Sequence, residues 1–260
     1  MTPTPRTPKA TTTADQSPSA AASRYQQLRS HLAEPKLAAA AEALPAVLDQ
    51  AAAQNLSLTV ALERLLAVEV EASTARRLAG RLRFACLPTP ATLADFDVDA
   101  AAGIDRKLID ELGTCRYLES ATNILLIGPP GTGKTHLLIG LGLAACEQGR
   151  RVRYVTTAQL VNELVEAADE RVLSRVVARY GRLDLLCLDE LGYVQIDSRG
   201  AELLFQIITE REERASVAIA TNLPFSEWGT VFPDPRLVAA IVDRIPFNAH
   251  IIETGTKSYR

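Results

Sequence analysis

The sequence predicts an α/β protein with a three-layer α/β/α core on a parallel sheet, preceded by a small all-helical domain. Three observations predict this fold class. From about residue 91 onward, short apolar runs alternate with amphipathic helical stretches, which is typical of repeated β–α units. The runs are apolar throughout rather than alternating, as in parallel strands covered on both faces. A glycine-rich turn joins the first run to the helix that follows it.

Composition narrows the class of protein. The chain has 260 residues, of which 47% are hydrophobic and 23% charged, values typical of a soluble globular protein of one to two domains. No stretch approaches the ~20 apolar residues of a membrane helix, and the N-terminus lacks an apolar signal region. Four dispersed cysteines and three histidines argue against a zinc site and a disulfide framework. We therefore expect a cytoplasmic protein with no membrane partner.

The distribution of apolar residues predicts three segments. Residues 1–22 are rich in Pro, Thr and Ser and are predicted to be a disordered tail, because they cannot bury enough surface to fold. Residues 23–86 carry leucine and alanine at helical spacing and are predicted to form the helical domain. Residues 87–260, which begin at a Leu-Pro-Thr-Pro linker, are predicted to form the α/β domain.

The elements of the α/β domain follow from the apolar runs. The predicted strands are Asn123–Ile127, Val152–Thr156, Leu185–Leu188, Val217–Ala220 and His250–Ile252. The predicted helices cover 135–148, 158–168, 171–180 and 199–213. Strand and helix alternate, which fits a parallel sheet between two helical layers.

The turn after the first strand carries the strongest chemical signal. Its residues match the pattern G-x-x-x-x-G-K-[ST] and are Gly128, Pro129, Pro130, Gly131, Thr132, Gly133, Lys134 and Thr135, followed by His136. The glycines let backbone N–H groups point inward at phosphate oxygens, and the next helix adds its positive dipole end. Lys134 would reach the β- and γ-phosphates, and Thr135 would bind Mg²⁺. The fold is therefore expected to be a P-loop NTPase with ATP and Mg²⁺ as cofactors.

Polar residues at the ends of two later strands support this interpretation. Asp189 at a strand tip is expected to hold Mg²⁺, and Glu190 beside it to polarise the attacking water, which favours hydrolysis. Asn222 follows the strand Val217–Ala220 and would orient that water near the γ-phosphate, although Thr-Asn at a strand end is also common in turns.

Several arginines are candidates for action outside the chain's own phosphate site. Arg244 is predicted to be an arginine finger that enters a neighbouring subunit's ATP site, with Arg236 as its rival and a surface ion pair as the structural alternative. A cluster free of acidic residues is the predicted contact to DNA phosphates, with a solvated helix face as its alternative. The cluster consists of Arg76, Arg77, Arg81 and Arg83. Because the net charge is −3, DNA binding requires such a local patch or charges aligned by assembly.

Together these motifs resemble the IstB family. The resemblance covers roughly residues 28–260. It rests on Asn55–Glu71, the arginine cluster, Thr92–Phe96, Asn123–His136, Leu185–Gly192, Ala220–Asn222 and Ser258–Arg260. Members are AAA+ ATPases encoded beside the transposase in certain bacterial insertion sequences, and the helicase loader DnaC is similar to them. The resemblance implies an AAA+ version of the P-loop fold.

The resemblance also implies a helper function. It predicts a homo-oligomer that assembles with ATP, binds duplex DNA without strong sequence preference, deforms it, and recruits and stimulates a cognate transposase. It assigns Lys134 and Thr135 to Walker A, Asp189 and Glu190 to Walker B, Asn222 to sensor I and Arg244 to the finger. Two other hypotheses stay open. One is a helicase-loader ATPase of the DnaC type, and the other is a small-molecule kinase, which would need a substrate lid.

Overall fold

The computed structural model describes residues 18–33, 37–98, 101 and 104–255. The chain forms two compact units, Met1–Arg77 and Leu78–Arg260. Most of the predicted tail and the terminal Ser258–Arg260 lie outside the described residues. In the part of the chain that the structure describes, no helix is long and apolar enough to cross a membrane.

Three helices account for the first unit and lead into the second. They are α1 (Pro18–Ala33), α2 (Ala38–Ala53) and α3 (Leu58–Ala85). Because α1 begins at Pro18, the last residues of the predicted tail are helical. Leu44 and Leu65 are buried at the centre of a small apolar cluster between α2 and α3. At the start of α3, the Ser57 hydroxyl accepts from the Val60 N–H at 3.4 Å.

The boundary between the units lies inside α3, at Arg77 rather than at the predicted residue 86. The last two turns of α3 belong to the core of the second unit, because Ala85 is fully buried there and Leu78 and Leu82 pack against the same cluster. Different parts of α3 therefore belong to the two units. The Leu-Pro-Thr-Pro linker after α3 is not the boundary between them.

The second unit alternates strands and helices as predicted. Its strands are β1 (Asn123–Ile127), β2 (Val152–Thr156), β3 (Leu185–Leu191), β4 (Ser216–Thr221) and β5 (Ala249–Glu253). Its helices are α4 (Arg106–Gly113), α5 (Lys134–Glu147), α6 (Thr157–Asp169), α7 (Leu173–Gly181), α8 (Ser198–Arg211) and α9 (Pro235–Phe247). Short 3-10 helices cover Arg116–Leu118 and Phe225–Thr230.

The five strands form one parallel sheet in the order β2-β3-β4-β1-β5. One buried cluster packs α6, α7, α8 and α9 against the sheet, and a second packs α4 and α5 against it. The predicted three-layer α/β/α core is therefore confirmed. Since all strands run the same way, the residues that follow β1, β3 and β4 meet at one edge, where ligands bind in open α/β sheets.

Candidate nucleotide-binding site

The predicted phosphate-binding turn connects β1 to α5. Gly131 and Gly133 have φ angles of 84° and 90°, in the left-handed region that glycine tolerates best. A Cβ atom on Gly133 would lie 2.6 Å from the Phe96 ring, so no other residue fits there without displacing that ring. Among the described residues, no backbone group accepts a hydrogen bond from the N–H of Gly131, Thr132 or Gly133. These donors and the start of α5 suit an anion.

The turn is held on both sides by the neighbouring strands. The Gly128 N–H donates to the carbonyl of Thr221 at 3.2 Å, and the Thr254 N–H donates to the carbonyl of Ile127 at 2.9 Å. The hydroxyls of Thr132 and the buried Thr254 are also hydrogen-bonded to each other. Sequence analysis missed Thr254, because its role depends on β5 pairing with β1 and no local motif marks it.

Lys134 and Thr135 occupy the first turn of α5. The Lys134 ammonium donates to the Pro129 carbonyl at 2.7 Å, and the Thr135 side chain is exposed. Burial lowers the pKa of Lys134 below its usual range, although the Asp189 carboxylate acts in the opposite direction. Lys134 and Asp189 are therefore close enough for their charges to interact.

Asp189 is buried near the end of β3 and is held by three hydrogen bonds. The Tyr154 hydroxyl donates to Oδ2 at 2.7 Å, and the Glu190 N–H donates to Oδ1 at 2.8 Å. The Thr157 hydroxyl donates to the Asp189 backbone carbonyl at 2.9 Å. Burial, and then the hydrogen bond to Asp189, raise the pKa of Tyr154 well above its usual range. The phenol therefore stays protonated and can donate.

Glu190 has an unusual backbone. Its φ angle is 59°, and the pairing register of β3 with β4 shifts between Leu188 and Leu191. Such bulges re-aim side chains and occur beside active sites. Glu190 is exposed and lines a cavity of about 430 Å³ together with Thr157 and Tyr193. The bulge turns Glu190 outward while its neighbour Asp189 stays buried.

Asn222 follows β4 directly and lies on the same edge of the sheet. Its Oδ1 atom is buried and has no hydrogen-bond partner among the described residues. The Thr221 hydroxyl accepts from the Leu223 N–H at 3.1 Å, so Thr221 forms the turn. The turn at the end of β4 is therefore formed by Thr221. Asn222 keeps an Oδ1 atom that can accept a hydrogen bond, as the predicted contact with water requires.

An open cavity of about 390 Å³ lies beside the phosphate-binding turn. Phe96 and His136 line it, with their ring centroids 5.7 Å apart. The His136 ring is hydrogen-bonded through Nε2 to the Thr92 carbonyl at 2.8 Å. The size and the mixture of aromatic and polar groups are those of small-ligand pockets. No role for Phe96 was predicted from the sequence, because a lone phenylalanine gives no local signal.

Arg244 lies at the opposite end of the sheet. The carbonyl of the next residue, Ile245, accepts from the Asn123 side chain at 3.1 Å, and Asn123 begins β1 whereas the phosphate-binding turn follows its end. Arg244 donates to Glu212 at 3.0 Å and lies 5.1 Å from the centre of the Phe205 ring. Arg236 is exposed at the start of α9. Arg244 and the phosphate-binding residues therefore do not form one site within a chain.

The arginines at the end of α3 have different surroundings. Arg76 pairs with the buried Glu69 at 2.6 Å, and Arg81 donates to the carbonyl of Cys146 at 2.8 Å. Arg77 and Arg83 are exposed. Trp228 and Phe232, which follow β4, are buried in the core and offer no exposed aromatic surface for a base to stack on.

Comparison with known proteins agrees with this geometry. The family described as "IstB-like ATP binding protein" matches residues 30–260. The insertion sequence IS5376 ATP-binding protein of Geobacillus stearothermophilus is 34% identical over 85% of this chain and 88% of its own length. AMPPCP-bound DnaA from Aquifex aeolicus is similar with a TM-score of 0.53 and 25% identity, over 65% of this chain and 51% of that one, about half of its length. The DnaC helicase loader shares the fold, with a TM-score of 0.52 and 19% identity, over 64% of this chain and 97% of its own.

Proposed function

Because the chain belongs to the family of IstB-like ATP-binding proteins encoded by insertion sequences, we propose that it is a DNA-dependent ATPase that acts as a transposition helper. It assembles with ATP and Mg²⁺ into a homo-oligomer on duplex DNA in the cytoplasm, remodels that DNA and recruits and stimulates the cognate transposase. The phosphate-binding turn, with its unaccepted N–H groups beside Lys134 and Asp189, carries this proposal, and Arg244, at the far end of the sheet, would act as a finger only in the ATP site of a second subunit.

The residues at the edge of the sheet fit ATP and Mg²⁺. The unaccepted N–H groups of the phosphate-binding turn and the Lys134 ammonium supply donors for phosphate oxygens. Lys134 would exchange its present acceptor, the Pro129 carbonyl, for a phosphate. The Thr135 hydroxyl and the Asp189 carboxylate are the hard oxygen ligands that Mg²⁺ prefers. The cavity lined by Phe96 and His136 would take the base and the ribose.

Hydrolysis needs a base and a group that orients water. Glu190 is the proposed general base, and the bulge at its position would let it turn towards the nucleotide. The unpartnered Oδ1 of Asn222 would accept a hydrogen bond from the attacking water. The bound Mg²⁺ ion would neutralise charge on the phosphates. ATP hydrolysis is therefore the reaction that these side chains suit best.

The length of the sheet separates Arg244 from the phosphate site of its own chain. At ~3.3 Å per residue, β1 spans roughly 13 Å, which is longer than an arginine side chain. Arg244 cannot reach the phosphates of its own chain. An arginine finger at this place would complete the ATP site of a neighbouring subunit, and ATP would then bind where two chains meet.

We place the contact with DNA on an arginine surface that consists of Arg83, Arg153, Arg175, Arg179 and Arg182. Arg153 lies on β2 and donates to the carbonyl of Phe84 at 3.0 Å, and Phe84, Arg153 and Arg179 line one small cavity. Arg175 and Arg179 on α7 and Arg182 directly after its end are four and three residues apart, a spacing that puts them on one helix face. Among the described residues, Arg175 and Arg182 have no ion-pair partner. Arg179 is paired with Glu163, as Arg76 is with Glu69, so we expect Arg175 and Arg182 to contribute most of the charge of this surface.

Sedimentation velocity tests the proposal. The protein is mixed with duplex or single-stranded DNA in the presence of ATP, ADP or no nucleotide. We expect a large complex only with duplex DNA and ATP, and no such complex with Lys134→Ala. Undiminished ATP-dependent assembly of Lys134→Ala would contradict the proposal. A preference for single-stranded DNA, or a monomer indifferent to DNA in every nucleotide state, would favour a helicase loader that lacks its protein partner.

A further inference from the structure

Tyr154 lies beside the candidate metal ligand but belongs to none of the sequence motifs. It pairs with Cys187 across β2 and β3, and Thr156 pairs with Asp189 two residues further along. Residues two apart on a strand point to the same face. The Tyr154 side chain therefore crosses diagonally to Asp189, and its hydroxyl lies 2.7 Å from Oδ2.

The other carboxylate oxygen of Asp189 is fixed by the backbone. The Glu190 N–H donates to Oδ1 at 2.8 Å, so each oxygen has one donor. Asp189 is only 4% exposed, and no other side chain among the described residues donates to its carboxylate. An ionised carboxylate has about four lone-pair positions. Each oxygen thus keeps one lone pair for the hydration shell of a cation, in a direction that the two donors set.

We propose that Tyr154 is a positioning residue that orients the Asp189 carboxylate towards the Mg²⁺ ion of bound ATP. This inference rests on the proposed ATP and Mg²⁺ site. Outer hydrogen bonds of this kind fix the orientation of metal ligands, and their loss typically weakens metal binding by about 10-fold or more. Tyr154 acts through Asp189 alone, so the affinity for nucleotide without metal should not depend on its hydroxyl.

The test measures binding of a fluorescent ATP analogue to the full chain, in EDTA and across a Mg²⁺ titration. The substitution Tyr154→Phe keeps the ring that packs against the core and removes only the hydroxyl. We expect the Mg²⁺ concentration for half-maximal binding to rise about 10-fold. Affinity in EDTA should equal that of the wild type, which also shows that the variant is folded.

Two further variants separate the outcomes. Tyr180→Phe removes a comparable hydrogen bond, from the Tyr180 hydroxyl to Glu163 at 2.6 Å, and should leave the Mg²⁺ response unchanged. Asp189→Asn should abolish that response. If Asp189→Asn responds to Mg²⁺ like the wild type, the proposed metal site itself is wrong. If only Asp189→Asn is impaired, or if Tyr154→Phe weakens binding equally in EDTA, the role of Tyr154 is overturned.

Discussion

Glu190 has a left-handed backbone conformation that is unfavourable for a residue with a side chain. A side chain in the left-handed region costs about 1–2 kcal/mol, which glycine avoids. Glu213, in the turn after α8, has nearly the same φ angle, 57° against 59°. The two glutamates therefore carry similar strain, but only Glu190 lies at the edge of the sheet where Asp189 and Asn222 meet.

We predict that Glu190→Gly stabilises the fold and abolishes hydrolysis. Relief of the left-handed conformation, less the extra entropy of glycine in the unfolded chain, should raise the free energy of unfolding by about 0.5–1 kcal/mol. Loss of the base should reduce turnover at least about 100-fold. Urea denaturation and phosphate release measure the two effects. Glu213→Gly is the control, with the same gain in stability and normal turnover. Retained turnover in Glu190→Gly would exclude Glu190 as the base.

Among single residues, those in local motifs could be predicted from the sequence, whereas contacts between residues far apart in the sequence could not. The residues of the phosphate-binding turn are consecutive, so their spacing carries the prediction. Tyr154 and Asp189 are 35 residues apart, and His136 and Thr92 are 44 apart. Such pairs depend on which strands and loops become neighbours in the fold, and no local sequence pattern indicates this.

At the level of secondary-structure elements, one buried arginine connects the end of α8 to its neighbours. Arg211 donates to the carbonyls of Tyr180 and Leu183 beside α7, and to the carbonyl of Ser216 at the start of β4. Burial lowers the pKa of Arg211 to about 10, so the group is still charged at neutral pH. One side chain therefore links backbone acceptors beside α7 and β4, of which the Tyr180 carbonyl also accepts from the Leu183 N–H at 3.3 Å.

Replacement of Arg211 by methionine should be severely destabilising. Each buried carbonyl left without a donor costs about 1–3 kcal/mol, so loss of the donor to the carbonyls of Leu183 and Ser216 should cost at least about 2 kcal/mol in urea unfolding. The control is Arg214→Met, which removes an exposed arginine paired with Glu210 and should cost less than about 1 kcal/mol. Similar losses in both variants would show that the buried hydrogen bonds contribute little.

In the helical unit, Glu69 links α2 to α3. Its carboxylate accepts from the Ala40 N–H at 3.0 Å and pairs with Arg76. The backbone hydrogen bond first, and then Arg76, hold the pKa of Glu69 below its usual value. Because the folded pKa is lowered, the stabilisation is complete above the unfolded value of about 4.5 and is lost as the pH falls through the folded value.

We therefore expect Glu69→Gln to be less stable than the wild type at neutral pH, with the difference shrinking at about pH 3.5. Urea denaturation at both pH values gives the comparison. Glu63→Gln, at an exposed position of the same helix, should differ little from the wild type at either pH. A difference between Glu69→Gln and wild type that does not change with pH would contradict this account of the carboxylate.

The positions of the strands were predicted more accurately than the residues at which they end. The predicted β1 and β2 match the structure residue for residue, because uninterrupted apolar runs define buried parallel strands. The third strand continues through Asp189 and Glu190 to Leu191, beyond the predicted Leu188. Charged residues ended the apolar pattern there, whereas backbone pairing continued through a bulge that hydropathy cannot reveal.

For the whole molecule, the separation of Arg244 from the phosphate site predicts complementation between variants. Arg244→Ala should lower turnover by about 1,000-fold or more, and Glu190→Gln should also be inactive. An equal mixture should recover about a quarter of normal turnover, since Glu190→Gln chains supply the missing arginine to Arg244→Ala neighbours. Phosphate release measures this. A mixture no more active than its parts would exclude Arg244, and the same assay with Arg236→Ala tests the rival.

The arginine surface predicts a change in the salt dependence of DNA binding. Each phosphate contact contributes about 0.9 to the slope of log affinity against log salt concentration. Combining Arg175→Ala with Arg182→Ala should therefore lower the slope by about 1.8. The control combines Arg199→Ala with Arg214→Ala, which removes exposed arginines already paired with Asp169 and Glu210. An equal change in slope from both pairs would place the DNA elsewhere.

The position of β2 at the rim of the sheet has a consequence for solubility. On its outer side, β2 has no strand partner among the described residues, and unpaired backbone groups of this kind attract strands from other molecules. Arg151 directly precedes this strand and Arg153 lies on it, and their positive charges repel the same strand of a second copy. Neutral substitutions at these positions would therefore leave an edge prone to aggregation, even in a variant designed only to weaken binding to polyanions.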